Sequence, residues 1–457
     1  MTIAHRSTLV VHGRLAMRES RLAAGRAGRH GLQIMSFEQA AVRLAGGFVR
    51  PIDDESLRSA IQAALSATPM GELESIKTLP GMIEAAADTL HKAWRAGIDL
   101  TAHAADDHPR LAAIARLEAA VLDQLPSGML RPLDIAAAAI ERLAHAPAIL
   151  GPMEIVGLTE LSPCWRPLLQ ALTTHIPVQW TAGPRSVPAW LDDTGVTIAR
   201  APAQAPEINA VSAATAYHEA IEAMRWARGL LASGVAPSEI AIATASPADY
   251  DDHFLALRAD ANIDLHFVHG VRTVSTRDGQ AAAALADIVV RGLSQSRLRR
   301  LAALCRDSGP FASLPEGWLR VLPSDAPLST PSAWNRLLGR LATEDWPDGA
   351  DHTPALRLAV ETLAKGPEAA GEIGEAFLKG RALAIWRKAL LAGPAASIDA
   401  TLEALKQDDG LEACVCVAWM PASALAASPR RFVRLLGLNS SRWPRGIAED
   451  RLIPDHI

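Results

Sequence analysis

The sequence is poor in cysteine and lysine, and it has no long uncharged apolar run. The cysteines are too few and too scattered for a disulfide framework: Cys164, Cys305, Cys414 and Cys416. Since no run of about 18 uncharged apolar residues occurs, no membrane span or membrane partner is expected. The amino terminus has a short apolar stretch without a small-residue cleavage site, which argues against a signal peptide. A cytoplasmic location is therefore expected.

The basic residues are unevenly divided, since six of the 45 are lysines and the rest are arginines. The net charge of −5 argues against a wholly basic nucleic-acid-binding protein. An arginine excess beside abundant alanine is consistent with the nucleotide composition of the source genome. Local arginine clusters could still contact a phosphate backbone on an otherwise acidic protein.

Hydrophobic periodicity predicts two α/β units, each interrupted by a long helical stretch. Short apolar runs predict strands at 7–12, 32–37, 153–158, 176–181, 207–213, 239–244, 413–420 and 432–438. Helices are predicted over 15–27 and 215–233, the latter ending before Gly234, and they dominate 53–149 and 285–410. The proline-containing stretch 183–206 is predicted to be a connector. The alternation of strand and helix is typical of parallel sheets.

The most specific pattern lies in residues 432–457. An apolar strand-like run ends at Gly437-Leu438-Asn439, then Trp443-Pro444-Arg445 follows, and Leu452-Ile453-Pro454-Asp455 comes last. This string resembles the region after motif V in superfamily I helicases of the UvrD/RecB type. It is most similar to the AddB-like subunits of helicase-nucleases.

Two further segments carry the same resemblance in the same order. Gly157 to Pro163 is similar to a Gly-Phe-Thr-type segment of AddB-like proteins. The helix from Glu219 to Arg228, with Gly234 and then Pro237 to Ile242, is similar to the start of the second core lobe in superfamily I helicases. These matches directly cover well under half of the chain.

The resemblance implies an α/β fold with two RecA-like parallel-sheet lobes and large helical insertions. The first lobe would span 1–182, with its insertion at about 53–150, and 183–206 would connect it to the second. The second lobe would span 207–457, with its insertion at about 285–410. A PD-(D/E)XK nuclease domain, which usually follows in this family, is missing from the sequence and would be expected after Ile457.

The residues of both chemistries associated with the family are missing. A P-loop needs glycine-rich backbone and a lysine, but the chain has no Gly-Lys dipeptide and reads Gly13-Arg14 where such a loop would open the fold. The nuclease needs a carboxylate two residues before a lysine. The residues at that position are Ser75, Leu90, Leu363, Phe377, Trp386 and Ala404. We therefore expect neither ATPase nor nuclease activity from this segment, and no cofactor.

The resemblance implies a role in DNA double-strand break repair, with DNA and an AddA-like helicase-nuclease subunit as partners. The residues in or near segments where the family places nucleic-acid or inter-lobe contacts are Arg272, Arg277, Arg430, Arg431, Trp443 and Arg445. Trp443 is the candidate for stacking on a base. Two alternatives stay open: the front part of an active nuclease, and a protein-interaction scaffold that does not bind DNA.

Two polar clusters between residues 249 and 269 could be functional, but a structural role explains each of them. His266 and His269 could bind a metal, but with no cysteine or second histidine pair beside them they are interpreted as packing at a strand end. Asp249, Asp251 and Asp252 are interpreted as the solvated start of a helix, where acidic residues are favoured.

Overall fold

Strands and helices alternate near both ends of the chain, and mainly helices fill two long stretches between them. The computed structural model describes residues 6–79, 81–103, 108–183, 187–200, 205–323, 326–343, 346, 348–440, 443 and 449–454. The strands in these ranges are β1 (Ser7–Val10), β2 (Leu32–Met35), β3 (Arg50–Pro51), β4 (Met129–Leu130), β5 (Met153–Val156), β6 (Val178–Ala182), β7 (Thr197–Arg200), β8 (Ile240–Thr244), β9 (Leu265–Phe267), β10 (Val271–Arg272), β11 (Lys406–Gln407), β12 (Val417–Pro421) and β13 (Phe432–Leu436).

Most of the α-helices lie in two stretches of the described chain, between β2 and β5 and between β10 and β11. The α-helices in the described ranges are α1 (Arg14–Arg26), α2 (Phe37–Leu44), α3 (Asp54–Ala67), α4 (Met82–Ala96), α5 (Leu100–His103), α6 (Pro109–Gln124), α7 (Pro132–Ile140), α8 (Ala146–Ile149), α9 (Arg166–Thr173), α10 (Ala216–Ala232), α11 (Asp251–Ala261), α12 (Arg277–Arg291), α13 (Gln295–Leu304), α14 (Pro331–Leu341), α15 (Thr353–Leu363), α16 (Ala370–Phe377), α17 (Gly380–Ala392) and α18 (Ile398–Ala404). None of these helices is both long enough and apolar enough to cross a membrane.

The first sheet has five parallel strands in the order β2-β1-β5-β6-β7. Helices α2, α7 and α9 bury their apolar residues against Val10, Ile155 and Trp180 of this sheet. The strands predicted at 7–12, 32–37, 153–158 and 176–181 are confirmed, each within a few residues. Strand β7 was not predicted, because it lies in the proline-containing stretch and its side chains are mostly exposed.

Helices α3 to α8 form a first helical insertion between β2 and β5, as the spacing of apolar residues predicts. Leu57 and Ile61 of α3 pack with Leu117 and Val121 of α6 in one buried cluster. Strands β3 and β4 pair at its edge and tie its two ends together. The helical prediction for 53–149 is therefore confirmed.

The second sheet has four parallel strands in the order β13-β8-β12-β9. Helices α10 and α11 cover one face, where Phe254 packs against Trp419 with ring centroids 4.5 Å apart. The other face is built from small residues, including Ala241, Ala243 and Ala418, and Leu15 of α1 packs onto it. Small side chains on that face allow the start of α1 to approach the sheet closely.

Helices α12 to α18 form a second helical insertion, between β10 and β11, with its own buried cluster. This confirms the helical prediction for 285–410. Helix α17 also contacts α3, so the two helical insertions touch each other. The α/β class and the parallel sheets are thus confirmed, as are the strands predicted at 239–244, 413–420 and 432–438, with shorter bounds for the last two.

Two details of the second unit differ from expectation. The strand predicted at 207–213 is wrong, since these residues lie outside any strand, and Ile208 and Val211 are exposed. Helix α10 begins and ends as predicted, before Gly234, but small residues form its buried face: Ala220, Ala223 and Ala227, with Met224. Tyr217, an aromatic residue in the first turn of α10, is exposed.

Candidate nucleic-acid interface

Arg272 and Arg277 lie beyond the carboxyl end of β9. Arg272 pairs with Lys406 across the antiparallel β10–β11 ladder, and its guanidinium forms an ion pair with Asp252. That ion pair raises the pKa of Arg272 further above its usual value. Arg277 is exposed at the first residue of α12 and forms no ion pair within the described ranges. Arg277 is therefore the freer of the two charges.

Arg430 and Arg431 precede β13 at the opposite edge of the same sheet, so they are not brought together with Arg272 and Arg277. The side chain of Arg430 is only 5% exposed and forms an ion pair with Glu19 of α1. Because Arg430 pairs with Glu19, it joins the unit of the second sheet to the unit of the first. Its guanidinium is therefore not accessible to a phosphate. Arg431 is exposed, with its guanidinium carbon 5.2 Å from the centre of the Phe432 ring.

Trp443 lines an apolar cavity of about 770 Å³ between the carboxyl ends of the two sheets. Leu158 and Thr159 after β5, and Val187 and Pro188 after β6, form one side of it; residues 422–429 form the other. A cavity of this size and apolar character suits an organic ligand. Arg445 lies outside the described residues.

Gly157 brings the two units into backbone contact beside this cavity. Its φ is +72°, and a Cβ there would lie 2.5 Å from Cα of Ala427 and 2.7 Å from the carbonyl oxygen of Ala426. A side chain has no room in that gap, and the left-handed backbone disfavours one. The Gly157-Leu158-Thr159 motif therefore serves a close approach between the units.

A second cavity of about 640 Å³ lies where α1 meets the second sheet. Gly13 and Arg14 form one wall, and residues 266–270 and 406–413 form the opposite wall. Gly13 caps α1 without a side-chain hydrogen bond. Arg14 and Lys406 are exposed and form no ion pair in the described part of the chain, whereas Arg18 is paired with Glu412.

The two histidines in this region bind separate carboxylates. His266 Nδ1 lies 2.9 Å from the buried Oδ1 of Asp409. Burial acts to raise the pKa of Asp409, but hydrogen bonds from His266 and from the backbone N–H groups of Phe267 and Leu411 outweigh it and lower that pKa. The described residues hold no group of three metal-ligating side chains. His266 and His269 thus each contact a carboxylate, Asp409 and Asp251, near the end of β9.

Asp251 is a buried residue whose importance the sequence does not show. It begins α11, as the pattern of acidic residues predicts, but the expectation that it is solvated is wrong, since it is only 3% exposed. Its Oδ1 accepts a hydrogen bond from Trp419 Nε1 at 2.8 Å and is 2.9 Å from His269 Nε2. The three groups join α11 to β12 and to the loop after β9. Because Asp251 and Trp419 are far apart in the sequence, no local sequence pattern predicts this hydrogen bond.

A third cavity, of about 1050 Å³, lies between the two helical insertions where they touch and shares Lys406 with the cavity at α1. Arg58, Lys388 and Lys406 line it, as do Asp53, Asp54 and Glu55. Arg58 is held by Glu84, whereas Lys388 is exposed and forms no ion pair among the residues described. The charges nearly balance, so a bound polyanion would depend on few unpaired cations.

Two of the three motifs behind the family resemblance meet at one side chain, Glu219, in the first turn of α10. Its Oε1 accepts the backbone N–H of Gly437 at 3.0 Å, and its Oε2 accepts the hydroxyl of Tyr250 at 2.6 Å. Pro237 to Ile242 leads into β8, which pairs directly with β13, the strand that ends at Gly437. Three sequence-distant segments are therefore joined at the carboxyl end of the second sheet.

The final motif reaches back to the first helical insertion. Leu452 is 2% exposed within the buried cluster of α3, α4 and α6, and Asp450 anchors it. Asp450 accepts hydrogen bonds from Thr89, Lys92 and the backbone N–H groups of Leu452 and Ile453. The described segment 449–454 thus connects the end of the second sheet's unit to the first insertion.

Comparison with known proteins adds no identification: no family model and no curated protein matches this chain.

Proposed function

We propose that this chain is a non-hydrolysing, DNA-binding subunit for double-strand break repair, built on an inactivated superfamily I helicase fold. The observation that carries the proposal is the Glu219 network. It joins the α10 motif to Gly437 of the carboxyl-terminal motif, and β8 lies beside them. Motifs that share a resemblance and also share one structural site support a common origin for the second unit.

In this proposal the two parallel sheets are RecA-like lobes, and a single DNA strand lies along the cleft between them. Trp443 would stack on a base at the apolar cavity, because aromatic rings accept any base without sequence readout. Arg14 and Lys406 would contact phosphates at the cavity beside α1. Arg277 and Arg431 would contact DNA outside the cleft, and Arg430 would keep its structural role.

The proposed partner is an AddA-like helicase-nuclease subunit in the cytoplasm, which would supply the ATP hydrolysis. Gly13-Arg14 offers no lysine and a single glycine at the start of α1, so a nucleotide's terminal phosphates would lack their usual contacts. Turnover of ATP by this chain alone would contradict this part of the proposal.

The test is the binding of a fluorescein-labelled oligothymidylate, followed by anisotropy over a range of salt concentrations. Trp443→Ala should weaken binding by about 1–3 kcal/mol, the usual contribution of one stacked base. Lys406→Ala and Arg14→Ala should each reduce the salt slope by about 0.7. Arg225→Ala is the matched control, because Arg225 is exposed and paired with Glu222 on the outer side of α10.

The near balance of charges in the cavity between the helical insertions and in the cavity beside α1 favours one alternative, a scaffold that holds proteins and does not bind DNA. The same titration separates the two functions. A scaffold would show no oligothymidylate binding at any salt concentration, and the cleft variants would then behave like the control.

A further inference from the structure

Phe48 projects into solvent from the loop between α2 and β3. Its 97% exposure is the highest among the large apolar side chains that the structure describes. Both faces of its ring are therefore open, and no other ring packs against it within the described ranges. Exposure of an apolar ring to water is unfavourable, and a ligand that covers the ring would gain free energy by burying it.

The exposure of Phe48 follows from an ordered loop. Gly46 and Gly47 have φ values of +113° and +76°, which turn the chain sharply after α2. The Gly47 N–H donates to the carbonyl of Val42 at 3.1 Å, and the Arg50 N–H donates to Gly128 at 2.9 Å. Hydrogen bonds therefore fix the loop on both sides of Phe48, and the ring is held outward.

Three arginines surround this loop. Arg43 and Arg50 are exposed on either side of Phe48, and neither forms an ion pair within the described residues. Arg142 donates from Nε to the carbonyl of Leu44 at 3.1 Å, and its guanidinium carbon lies 3.7 Å from the Cβ position of Gly46. The exposed ring thus has one arginine before it in the chain, one after it, and Arg142 against Gly46 of the same loop. The acidic neighbours are the exposed Glu141, next to Arg142 in sequence, and Asp53, whose carboxylate interacts with Arg50.

The size of the apolar surface decides which ligand class fits best. One aromatic side chain buries about 150–250 Å², far below the roughly 1,200 Å² of a stable protein interface. A nucleobase needs no more than one ring face, and neighbouring phosphates need cations. Arg50 lies near Asp53, which lines the cavity between the insertions, so the loop stands beside that opening.

We propose that the Phe48 loop, residues 46–50, is a second single-strand contact, in which Phe48 stacks on a base and Arg43, Arg50 and Arg142 bind the adjacent phosphates. The inference rests on the proposed DNA-binding function and adds a site outside the cleft between the sheets. Its ligand is single-stranded nucleic acid without sequence preference, because stacking on one ring reads no base edges.

The test uses the full chain, labelled oligothymidylate and substitutions that leave the core untouched. Phe48→Ala should raise Kd roughly 5- to 150-fold, and Phe48→Leu should do nearly the same because leucine has no ring face to stack. Phe48→Trp should keep the wild-type Kd or lower it. Arg43→Ala and Arg50→Ala should each reduce the salt slope by about 0.7, whereas Arg225→Ala should leave it unchanged.

Three outcomes would overturn the assignment. If Phe48→Ala binds DNA like the wild type while Trp443→Ala is weakened, the Phe48 site is refuted and the proposed function stands. If the wild type binds no oligothymidylate, both proposals fail. If Phe48→Ala binds DNA normally but loses binding to polyglutamate that the wild type shows, the loop recognises acidic polypeptide instead.

Discussion

Gly157 shows how one residue can fix the contact between two units. A Cβ at this position would enter the backbone of Ala426 and Ala427. Gly157→Ala should lower the free energy of unfolding by at least about 2 kcal/mol, through left-handed backbone strain and overpacking. Urea unfolding followed by tryptophan fluorescence measures the loss. Gly183→Ala is the control, because nothing lies within 4 Å of its Cβ position. Equal midpoints for both variants would show that the contact does not form.

Asp409 gives the protein a defined response to acid. Burial acts against its ionised form, but hydrogen bonds from His266, Phe267 and Leu411 outweigh it, so the pKa in the folded state lies below the unfolded value. Its stabilising contribution is therefore complete above the unfolded aspartate pKa, near 3.9, and is lost as pH falls through the folded value.

Asp409→Asn should reduce stability by about 1–3 kcal/mol at neutral pH and by less at about pH 3, below the unfolded aspartate pKa. Urea midpoints measured at both pH values test this difference. Asp408→Asn, at an exposed neighbouring residue, should leave the pH dependence unchanged. A loss of equal size at both pH values would contradict an ionised Asp409 in the folded protein.

The environment of individual side chains was the feature that the sequence predicted least well. Arg430 and Arg431 are neighbours of the same type, yet Glu19 removes the first from solvent and leaves the second exposed. Asp251 looks like an ordinary helix-start residue, but it bonds to Trp419. These differences arise from partners distant in sequence, and no local pattern encodes them.

At the scale of elements, Glu219 couples α10 to β13 and to the turn before α11. Glu219→Gln leaves one acceptor for two donors, and Tyr250→Phe removes one of those donors. In a double-mutant cycle, the two substitutions should show a coupling energy above about 0.5 kcal/mol. Urea unfolding of the four proteins measures it. Strict additivity would show that the Tyr250 hydroxyl and the Glu219 carboxylate do not interact.

The segment 449–454 is a second element whose attachment can be measured. Asp450→Ala removes four hydrogen bonds. Leu452→Ala leaves a buried cavity and should lower the free energy of unfolding by about 2–5 kcal/mol. Both should speed trypsin cleavage after the exposed Arg451, as followed by mass spectrometry. Glu449→Ala, at an exposed residue, is the control. If cleavage of all three matches the wild type, the segment is not docked in solution.

Secondary structure was predictable where burial and periodicity agree. Residues 240–243 form a continuous apolar run because both faces of β8 are buried, and α10 has a threonine cap and a glycine after its end. The prediction failed at 207–213, where strand-like residues have no neighbour, and missed β7, whose exposed residues lack a hydrophobic pattern. In both cases the outcome depends on pairing with another strand: residues 207–213 pair with none, whereas β7 pairs with β6.

For the whole molecule, the order of the strands, the contact between the insertions and the cavities depend on long-range packing that a single sequence does not display. The sequence did predict the two parallel sheets and both helical stretches. It also pointed to Trp443 as a residue that stacks on a base; Trp443 lines the cavity between the carboxyl ends of the sheets, and its role stays a prediction. The proposed DNA binding depends on the cleft between the two sheets, which neither unit forms alone.

The most direct test of that proposal is the affinity of the wild-type chain for oligothymidylate as a function of salt. We predict binding whose log K falls linearly with log salt concentration, at about 0.7 per phosphate contacted. Two or more contacts would give a slope of about −1.4 or steeper. Binding that salt does not weaken, or no binding at low salt, would contradict the account.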